Sequence, residues 1–163
     1  MTIKMTSDII REGMTLALRK SEEYLSDAEL LISKGSLNTA VVLIEFAIEE
    51  FGRAVALCEK LKTGSVEVER TLLKSHNLKY NKAWSVLSED LKTIYEGTFD
   101  PAIFDPNIFD VGKETISPRT RLDATFVDYD ESIKKWKDGI RADKYKLEVI
   151  IKGIREEIRS FSC

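Results

Sequence analysis

The only histidine of the chain, His76, is the residue best suited to acid–base chemistry. An imidazole can take or give a proton near neutral pH, and a guanidinium can stabilise negative charge on phosphoryl oxygens. Arg70 lies six residues before His76, and Lys79 and Lys82 follow about one and two helical turns later. Placed around one phosphodiester, His76 and Arg70 would suffice to cleave RNA without a metal ion.

The geometry of this pair depends on whether a helix is broken before His76. Along a continuous helix, a spacing of six residues would place Arg70 and His76 about 120° apart around the axis, on different faces. Joint action therefore requires a break between them or a second subunit. If Ser75 caps the following helix, His76 lies in its first turn, where the macrodipole favours neutral imidazole and free amides can receive a phosphate. The alternative is a structural histidine with satisfied hydrogen bonds.

Three polar residues at four-residue spacing cross an otherwise apolar helix. From Ala40 to Ile48 the sequence is apolar on nearly every side, which predicts a helix covered by several others. Glu45, Glu49 and Arg53 interrupt it. Glu49 and Arg53 have the spacing of an i,i+4 ion pair. Because an unpaired buried charge costs several kcal/mol, these side chains either pair structurally or build a site.

Hydrophobic spacing predicts a long helix on each side of a turn at Gly35. The first helix is expected to open near residues 6–8, where Thr, Ser and Asp are good caps, and to stop at Gly35. The second is expected to run from a Ser36 cap to about Leu61 and to be the buried centre of the core.

Two further helices follow from the same spacing rule. A third apolar stripe ends at Gly97 and consists of Tyr80, Trp84, Leu87, Leu91 and Ile94. The segment from Val66 to Lys74 either belongs to that helix or forms a separate turn before it. The last helix is expected to begin near Asp143, and its buried face is expected to consist of Leu147, Ile150, Ile151, Ile154, Ile158 and Phe161. The sequence therefore predicts one all-α domain over residues 1–163, an up-and-down bundle of four to five helices.

Residues 97–121 lack this helical pattern. All three prolines of the chain lie here, and Phe-Asp recurs every five residues. We expect an irregular loop whose phenylalanines pack back on the bundle, with a mobile lid or a partner-binding surface as the alternative.

Composition and motifs argue against several classes of function. The chain has 25 basic and 28 acidic residues, so that contact with nucleic acid would need a local basic patch. It contains no glycine-rich phosphate loop and no CxxC, and a single histidine excludes the common His-rich zinc sites. No acidic cluster has a spacing diagnostic of Mg²⁺. We therefore expect no metal and no cofactor.

The cysteines and the apolar runs bear on location. The two cysteines, Cys58 and Cys163, make no disulfide framework, which favours a reducing compartment. The most apolar run is too short to span a bilayer, and the N-terminus lacks the apolar stretch of a signal peptide. A cytoplasmic location and no membrane contact are expected.

Three segments of the chain share residues with a known family. The most specific is Phe46-Ala-Ile-Glu-Glu-Phe-Gly-Arg-Ala54, which follows Gly35-Ser-Leu-Asn-Thr-Ala40. The others are Ser75-His76-Asn-Leu-Lys79 and Phe126-Val-Asp-Tyr-Asp130. In this order they resemble the AbiV-type abortive-infection proteins, a branch of the HEPN superfamily, whose pattern resembles G-x-x-x-x-A…A-x-E-E-x-G-K with a later His-x-x-Lys.

The resemblance implies an all-α bundle that commonly dimerises. Many HEPN proteins are metal-independent endoribonucleases that use an Arg-x₄₋₆-His motif, paired across the dimer, in phage defence or as toxins of toxin–antitoxin pairs. Carried over, this motif falls on Arg70 and His76. Thr71 stands where Asn, Asp or His is usual after the arginine. The positions that match the signature of the branch itself are Glu49, Glu50, Arg53 (in place of the lysine) and Lys79.

Three hypotheses follow. In the first, a homodimer cleaves RNA without metal: His76 is general base or acid, Arg70 and Lys79 hold the phosphate, and Glu49 with Arg53 orients the site. In the second, a catalytically silent module binds a phage or antitoxin protein, or a nucleotide, and the same polar residues fix helix packing or the dimer interface. In the third, the chain is an ordinary bundle with no site. Burial of His76 against Glu49 or Glu50 without an opening to solvent would favour the second.

Overall fold

A computed structural model describes residues 1–96, 127–130, 134–138 and 142–163. Within these ranges it contains six helices and two short antiparallel ribbons. The elements are β1 Thr2–Lys4, α1 Ser7–Ser33, α2 Leu37–Lys62, β2 Glu67–Glu69, α3 Arg70–Lys74, α4 His76–Trp84, α5 Glu89–Glu96, β3 Val127–Asp130, β4 Lys135–Asp138 and α6 Lys144–Ser160. The prediction of an all-α helical bundle is confirmed, although the described helices number six rather than four to five.

Helix α1 begins and ends where its sequence predicts. The Thr6 side chain accepts a hydrogen bond from the Ile9 amide at 3.3 Å, which caps the first turn. At the other end Gly35 has a φ of 78°, a left-handed conformation that glycine adopts without strain. The amide of Ser36 reaches back to the carbonyl of Leu31 at 2.9 Å, which closes a Schellman motif. The chain thus reverses, and α2 packs along α1.

Helix α2 is the buried centre of the core, as predicted. Fourteen of its residues are buried, because α1, α4 and α6 all pack against it. The largest apolar cluster joins its Ile44, Ile48 and Phe51 to residues of those helices and of α5. Carboxylates that belong to such a helix must find partners inside the fold.

The prediction of one helix through the third apolar stripe is wrong. Helix α4 ends at Trp84 and α5 begins at Glu89. The amide of Ser88, just before α5, donates to the Glu157 carboxylate of α6 at 3.0 Å, so a distant side chain satisfies a donor that the break leaves without a helical partner. The break also shifts the phase of the buried face, since Tyr95 is 1% exposed whereas Ile94 is 36% exposed.

The segment before α4 is separate from it. Strand β2 pairs with β1 at the N-terminus, with Val68 opposite Ile3, and α3 follows directly. Ser75 then has an extended backbone (φ −74°, ψ 120°) that interrupts the helical path between α3 and α4. Of the two alternatives left open by the sequence, the separate turn is therefore correct.

Helix α6 begins after Asp143, whose side chain accepts from the Lys146 amide at 2.9 Å. Its predicted apolar face is buried at Leu147, Ile150, Ile151, Ile154 and Ile158. Phe161, just beyond the helix, packs edge-on against Phe51 of α2 with ring centroids 5.5 Å apart.

The two cysteines, which in the sequence indicate no disulfide framework, are joined in the structure. Cys58 of α2 and the C-terminal residue Cys163 form a disulfide, with their Cα atoms 5.5 Å apart. Packing of Phe161 on α2 brings the end of the chain to Cys58. The predicted Phe-Asp loop at 97–121 and Phe126 lie outside the described residues. No helix in the described part of the chain is both long and apolar enough to cross a membrane.

Candidate functional site

His76 is the first residue of α4 and lies beside a buried carboxylate of α2. Ser75 caps α4 by accepting from the Leu78 amide at 3.3 Å, so the predicted cap and helix break are both present. The Nδ1 atom of His76 is 2.5 Å from Oε2 of Glu49. The histidine side chain is 52% exposed, whereas that of Glu49 is 5% exposed. When Nδ1 donates its proton to the carboxylate, Nε2 is the nitrogen that can take or give a proton.

Lys79 lies one turn further along α4 and faces the same carboxylate. Its Nζ atom is 3.4 Å from Oε2 of Glu49 and 4.0 Å from Oε1 of Glu50, and its side chain is 4% exposed. A lysine this deeply buried needs anionic partners, and these two glutamates supply them. Burial also separates the two roles predicted for Lys79: it can orient Glu49, but it is poorly placed to hold a phosphate.

Arg53 pairs with a different glutamate from the one that its spacing suggests. Its Nη1 atom is 3.1 Å from Oε2 of Glu50, an i,i+3 pair, whereas Glu49 faces α4. The ion pair that the i,i+4 spacing suggests between Glu49 and Arg53 is therefore replaced by the pair between Glu50 and Arg53. One continuous polar chain results, from half-exposed His76 through Glu49 and Lys79 to Glu50 and Arg53.

Gly52 is the reason that α4 can lie so close to α2. A Cβ atom at this position would be 1.7 Å from the carbonyl oxygen of Lys79 and 2.9 Å from the amide nitrogen of Ala83. Only a residue without a side chain permits this approach of two backbones. The glycine of the Glu-Glu-x-Gly-Arg segment thus sets the distance that lets Lys79 and His76 reach the two glutamates.

Arg70 is placed apart from this chain of contacts. It is the first residue of α3, it is exposed, and its backbone amide donates to the carbonyl of Met1 at 3.1 Å. Within the described ranges, no hydrogen bond or ion pair joins its side chain to His76. Lys82 pairs with Glu59 at 2.5 Å rather than with the site. The catalytic role of Arg70 stays a prediction.

A second buried carboxylate lies one turn earlier on α2. Glu45 is 2% exposed and accepts a hydrogen bond from the hydroxyl of Tyr95 of α5. Glu45 was expected to share a polar stripe with Glu49, but its partner from α5 was missed. The spacing of the third stripe selects Ile94 as the buried residue, whereas the structure buries its neighbour Tyr95.

Charged residues of α1 were also missed as neighbours of the site. Arg19, Lys20 and Glu23 line a cleft together with Glu50 and Arg53. The only available signal was their i,i+3 and i,i+4 spacing, which is common on exposed helices.

A comparison with known families identifies the family of the chain. A family model for HEPN proteins, described as AbiV, matches residues 9–145. The chain belongs to the AbiV family. The match includes every site residue predicted above, from Glu49 to Lys79, and places this AbiV protein among HEPN-type proteins of abortive infection. No curated protein and no solved structure matches the chain.

Over residues 1–96, 127–130, 134–138 and 142–163, no three His, Cys, Asp or Glu side chains cluster in a way that could hold a metal ion. The chemistry that the described site offers is that of an imidazole, two carboxylates, an amine and a guanidinium.

Proposed function

We propose that this AbiV protein is a metal-independent endoribonuclease that acts as a cytoplasmic homodimer in phage defence. The observation that supports it best is the contact between His76 and Glu49. A buried carboxylate that holds Nδ1 fixes the ring and its tautomer, and half of the ring remains open to a substrate. Burial of the ring without an opening to solvent would have favoured the catalytically silent module instead.

In the proposed reaction, Nε2 of His76 takes the proton of a ribose 2′-hydroxyl. The 2′-oxygen attacks the adjacent phosphorus, and the bond to the 5′-oxygen breaks. The leaving 5′-oxygen takes a proton from solvent water, and the imidazolium returns its proton to the solvent. The products are a 2′,3′-cyclic phosphate and a 5′-hydroxyl. Glu49 stabilises the imidazolium that forms, Lys79 and Arg53 hold the two glutamates in place, and Arg70 stabilises the charge on the phosphoryl oxygens.

Cleavage of tRNA and mRNA by the purified protein in EDTA tests this function. His76→Ala should lower the rate about 10²-fold or more, the usual loss for a general base. Arg159→Ala, an exposed arginine on α6, is the matched control and should cleave normally. Intact RNA with the wild-type protein, shown to be folded by circular dichroism, would contradict the proposal for these substrates.

A mixing experiment tests the homodimer. If Arg70 and His76 act on one RNA from different subunits, a mixed dimer of Arg70→Ala and His76→Ala chains contains one intact site. Equal mixing and re-association should then restore about a quarter of wild-type activity. A mixture as inactive as its components would place both residues in the same subunit. A monomer at working concentration would contradict the dimer itself.

The disulfide provides a test of the cytoplasmic location. Cytoplasmic thiol systems keep most cysteines reduced. Alkylation of the protein in unstressed cells should therefore find Cys58 and Cys163 as free thiols. A fully formed bond under those conditions would contradict this location.

Burial of Glu49 and Lys79 favours a second candidate, the catalytically silent module that binds a phage or antitoxin protein. Both side chains are about 5% exposed or less at the contact of α2 with α4, as expected of residues that fix helix packing. In that case His76→Ala would lower the free energy of unfolding by about 1 kcal/mol and leave RNA intact in both lanes.

A further inference from the structure

A cleft of about 490 Å³ lies between the N-terminal half of α1 and the middle of α2. This volume is within the usual range for small-ligand sites. One end is apolar, with Leu57 of α2 at its wall and the half-exposed side chains of Ile9 and Leu16 at its rim. The other end contains the charged residues of α1 and α2 named above. An occupant would therefore need an apolar body and a charged group.

The charges at the polar end do not balance. Lys20 is 2.8 Å and Arg19 3.7 Å from the carboxylate of Glu23, while Arg53 pairs with Glu50. The hydrogen bond between Lys20 and Glu23 raises the pKa of the lysine and lowers the pKa of the glutamate, so both stay charged. Three cations thus face two carboxylates, and one positive charge is left over.

Of these three cations, Arg53 has a buried donor atom without a hydrogen-bond partner. Its Nε atom is buried and has no hydrogen-bond acceptor, and only Glu50 pairs with its guanidinium among the described residues. About a third of the side chain remains exposed. A guanidinium with unused donors at the end of an apolar cleft is suited to a carboxylate, sulfonate or phosphate ester.

We propose that this cleft binds a small monoanion with an apolar body, and that its occupancy alters the contact between Glu49 and His76. The cleft shares Arg53 and Glu50 with the polar chain of the proposed RNA site, but His76 does not line it. Binding of the anion does not depend on the proposed nuclease activity. Only a consequence of that binding for RNA cleavage rests on the proposed function.

The route of this effect is the polar chain described above. An anion at Arg53 competes with Glu50 for the guanidinium. Glu50 is then free to move toward Lys79, which already lies within 4.0 Å of it. Because Lys79 is shared between the two glutamates, a stronger contact with Glu50 weakens its contact with Glu49. The carboxylate that holds His76 therefore changes its charge environment when the cleft is filled.

Two fluorescent probes that differ in one charge test the binding step. Anilinonaphthalene sulfonate has the expected apolar body and anion, and N-phenylnaphthylamine is its uncharged counterpart. We expect saturable binding of one sulfonate per chain, about tenfold weaker in Arg53→Met because a charge-assisted hydrogen bond is lost. The uncharged probe should not distinguish Arg53→Met from wild type. Arg159→Met is the control, an exposed arginine outside the cleft.

A second variant guards against a change of fold in Arg53→Met. Ile9 is 51% exposed at the rim, so Ile9→Glu should fold normally while it places a negative charge beside the apolar end. It should weaken the sulfonate more than the uncharged probe. Equal affinity of the sulfonate for wild type, Arg53→Met and Ile9→Glu would overturn the site. If Ile9→Glu instead turned a dimer into a monomer, the cleft would be an interface between copies and not a ligand site.

The effect on His76 is read without any assay of activity. Because the chain has one histidine, an untagged protein gives a single imidazole Cε1–H signal in a heteronuclear NMR spectrum. Saturation with the sulfonate should shift that signal in wild type and leave it in place in Lys79→Met, which retains the cleft but lacks the shared amine. Binding without a shift in wild type would overturn the coupling. Inactive protein that still binds and shifts would count against the nuclease alone.

Discussion

Two carboxylates one helical turn apart on α2 are equally buried and yet differ in their relation to solvent. Glu45 is 2% exposed, and its partner Tyr95 is 1% exposed, so this pair is enclosed in the apolar cluster. Glu49 is 4% exposed, but its partner His76 is half open to solvent. Burial of an acid therefore does not by itself identify a site. The exposure of the group that the acid holds decides whether a substrate can be reached.

The largest effect is expected from a substitution at Gly52, because the contacts of Glu49 with α4 depend on the close approach of the two backbones there. Gly52→Ala forces a Cβ atom into the backbone of α4, which cannot yield as a side chain could. We expect a loss of about 3 kcal/mol or more in the free energy of unfolding by urea. Gly13→Ala is the control: its Cβ would meet only the end of Leu57 at 3.3 Å, and the change should be within about 1 kcal/mol. Equal losses would show that the contact at Gly52 is not special.

The next effect compares the two acids directly. Glu49→Gln takes the nearer carboxylate from buried Lys79, and should cost about 2 kcal/mol because Glu50 compensates only in part. RNA cleavage should fall about tenfold or more with it. Glu45→Gln should cost about 1 kcal/mol or less, because an amide oxygen can still accept from Tyr95, and cleavage should be normal. If both variants lost activity equally, the distinction between the two acids would fail.

The hydrogen bond between Tyr95 and Glu45 can also be removed by a substitution of the tyrosine. Tyr95→Phe keeps the ring that packs on Trp84 but removes the donor to Glu45. Urea denaturation should show a loss of about 1 to 2 kcal/mol. The imidazole signal of His76 should stay where it is in wild type. A shift of that signal would mean that the two acids are coupled.

The smallest effect belongs to an exposed acid. Lys60 donates to Glu69 at 2.9 Å, and this hydrogen bond lowers the pKa of the glutamate. A lowered pKa in the folded state stabilises the fold above the usual carboxyl pKa of about 4.5, and this gain is lost as pH falls through the lowered value. Because both side chains are partly solvated, Glu69→Gln should cost only about 0.5 kcal/mol near pH 7, and progressively less as the pH falls below 4.5. A loss that persists at the lower pH would point to packing instead.

Caps, glycines and apolar spacing predicted the bounds of most helices. They failed where a helix boundary depends on a residue far away in the sequence. The bounds of α1, α2 and α6 follow from caps, Gly35 and apolar spacing within each segment. The break between α4 and α5 does not, because the acceptor for the Ser88 amide is Glu157, which is 69 residues away. The pairing of β1 with β2 is equally non-local, and so is the disulfide. Spacing within a stripe reports only the local period.

Five of the six residues predicted for the site meet in one polar chain, while the sixth, Arg70, lies apart from it; their connections were not predicted, and their role in a reaction stays a prediction. Glu49, Glu50, Arg53, His76 and Lys79 do form one polar chain. Their partners were not predictable, since which face of α4 meets α2 depends on the approach at Gly52. The cleft residues of α1 were missed for a different reason: their charges have the spacing of an ordinary exposed helix.

The bond between Cys58 and Cys163 gives the oxidised chain an unusual connectivity. Everything from residue 59 to residue 162 belongs to one covalent ring, and only the first two helices up to Cys58 form a free arm. A single proteolytic cut anywhere in the ring opens it without releasing a fragment, so the molecule keeps its full mass until the bond is reduced. A cut in the arm, such as one at the turn of Gly35, frees α1 from every covalent tie. The chain before Cys58 and the chain after it therefore differ in how much cleavage of the backbone they survive as one molecule.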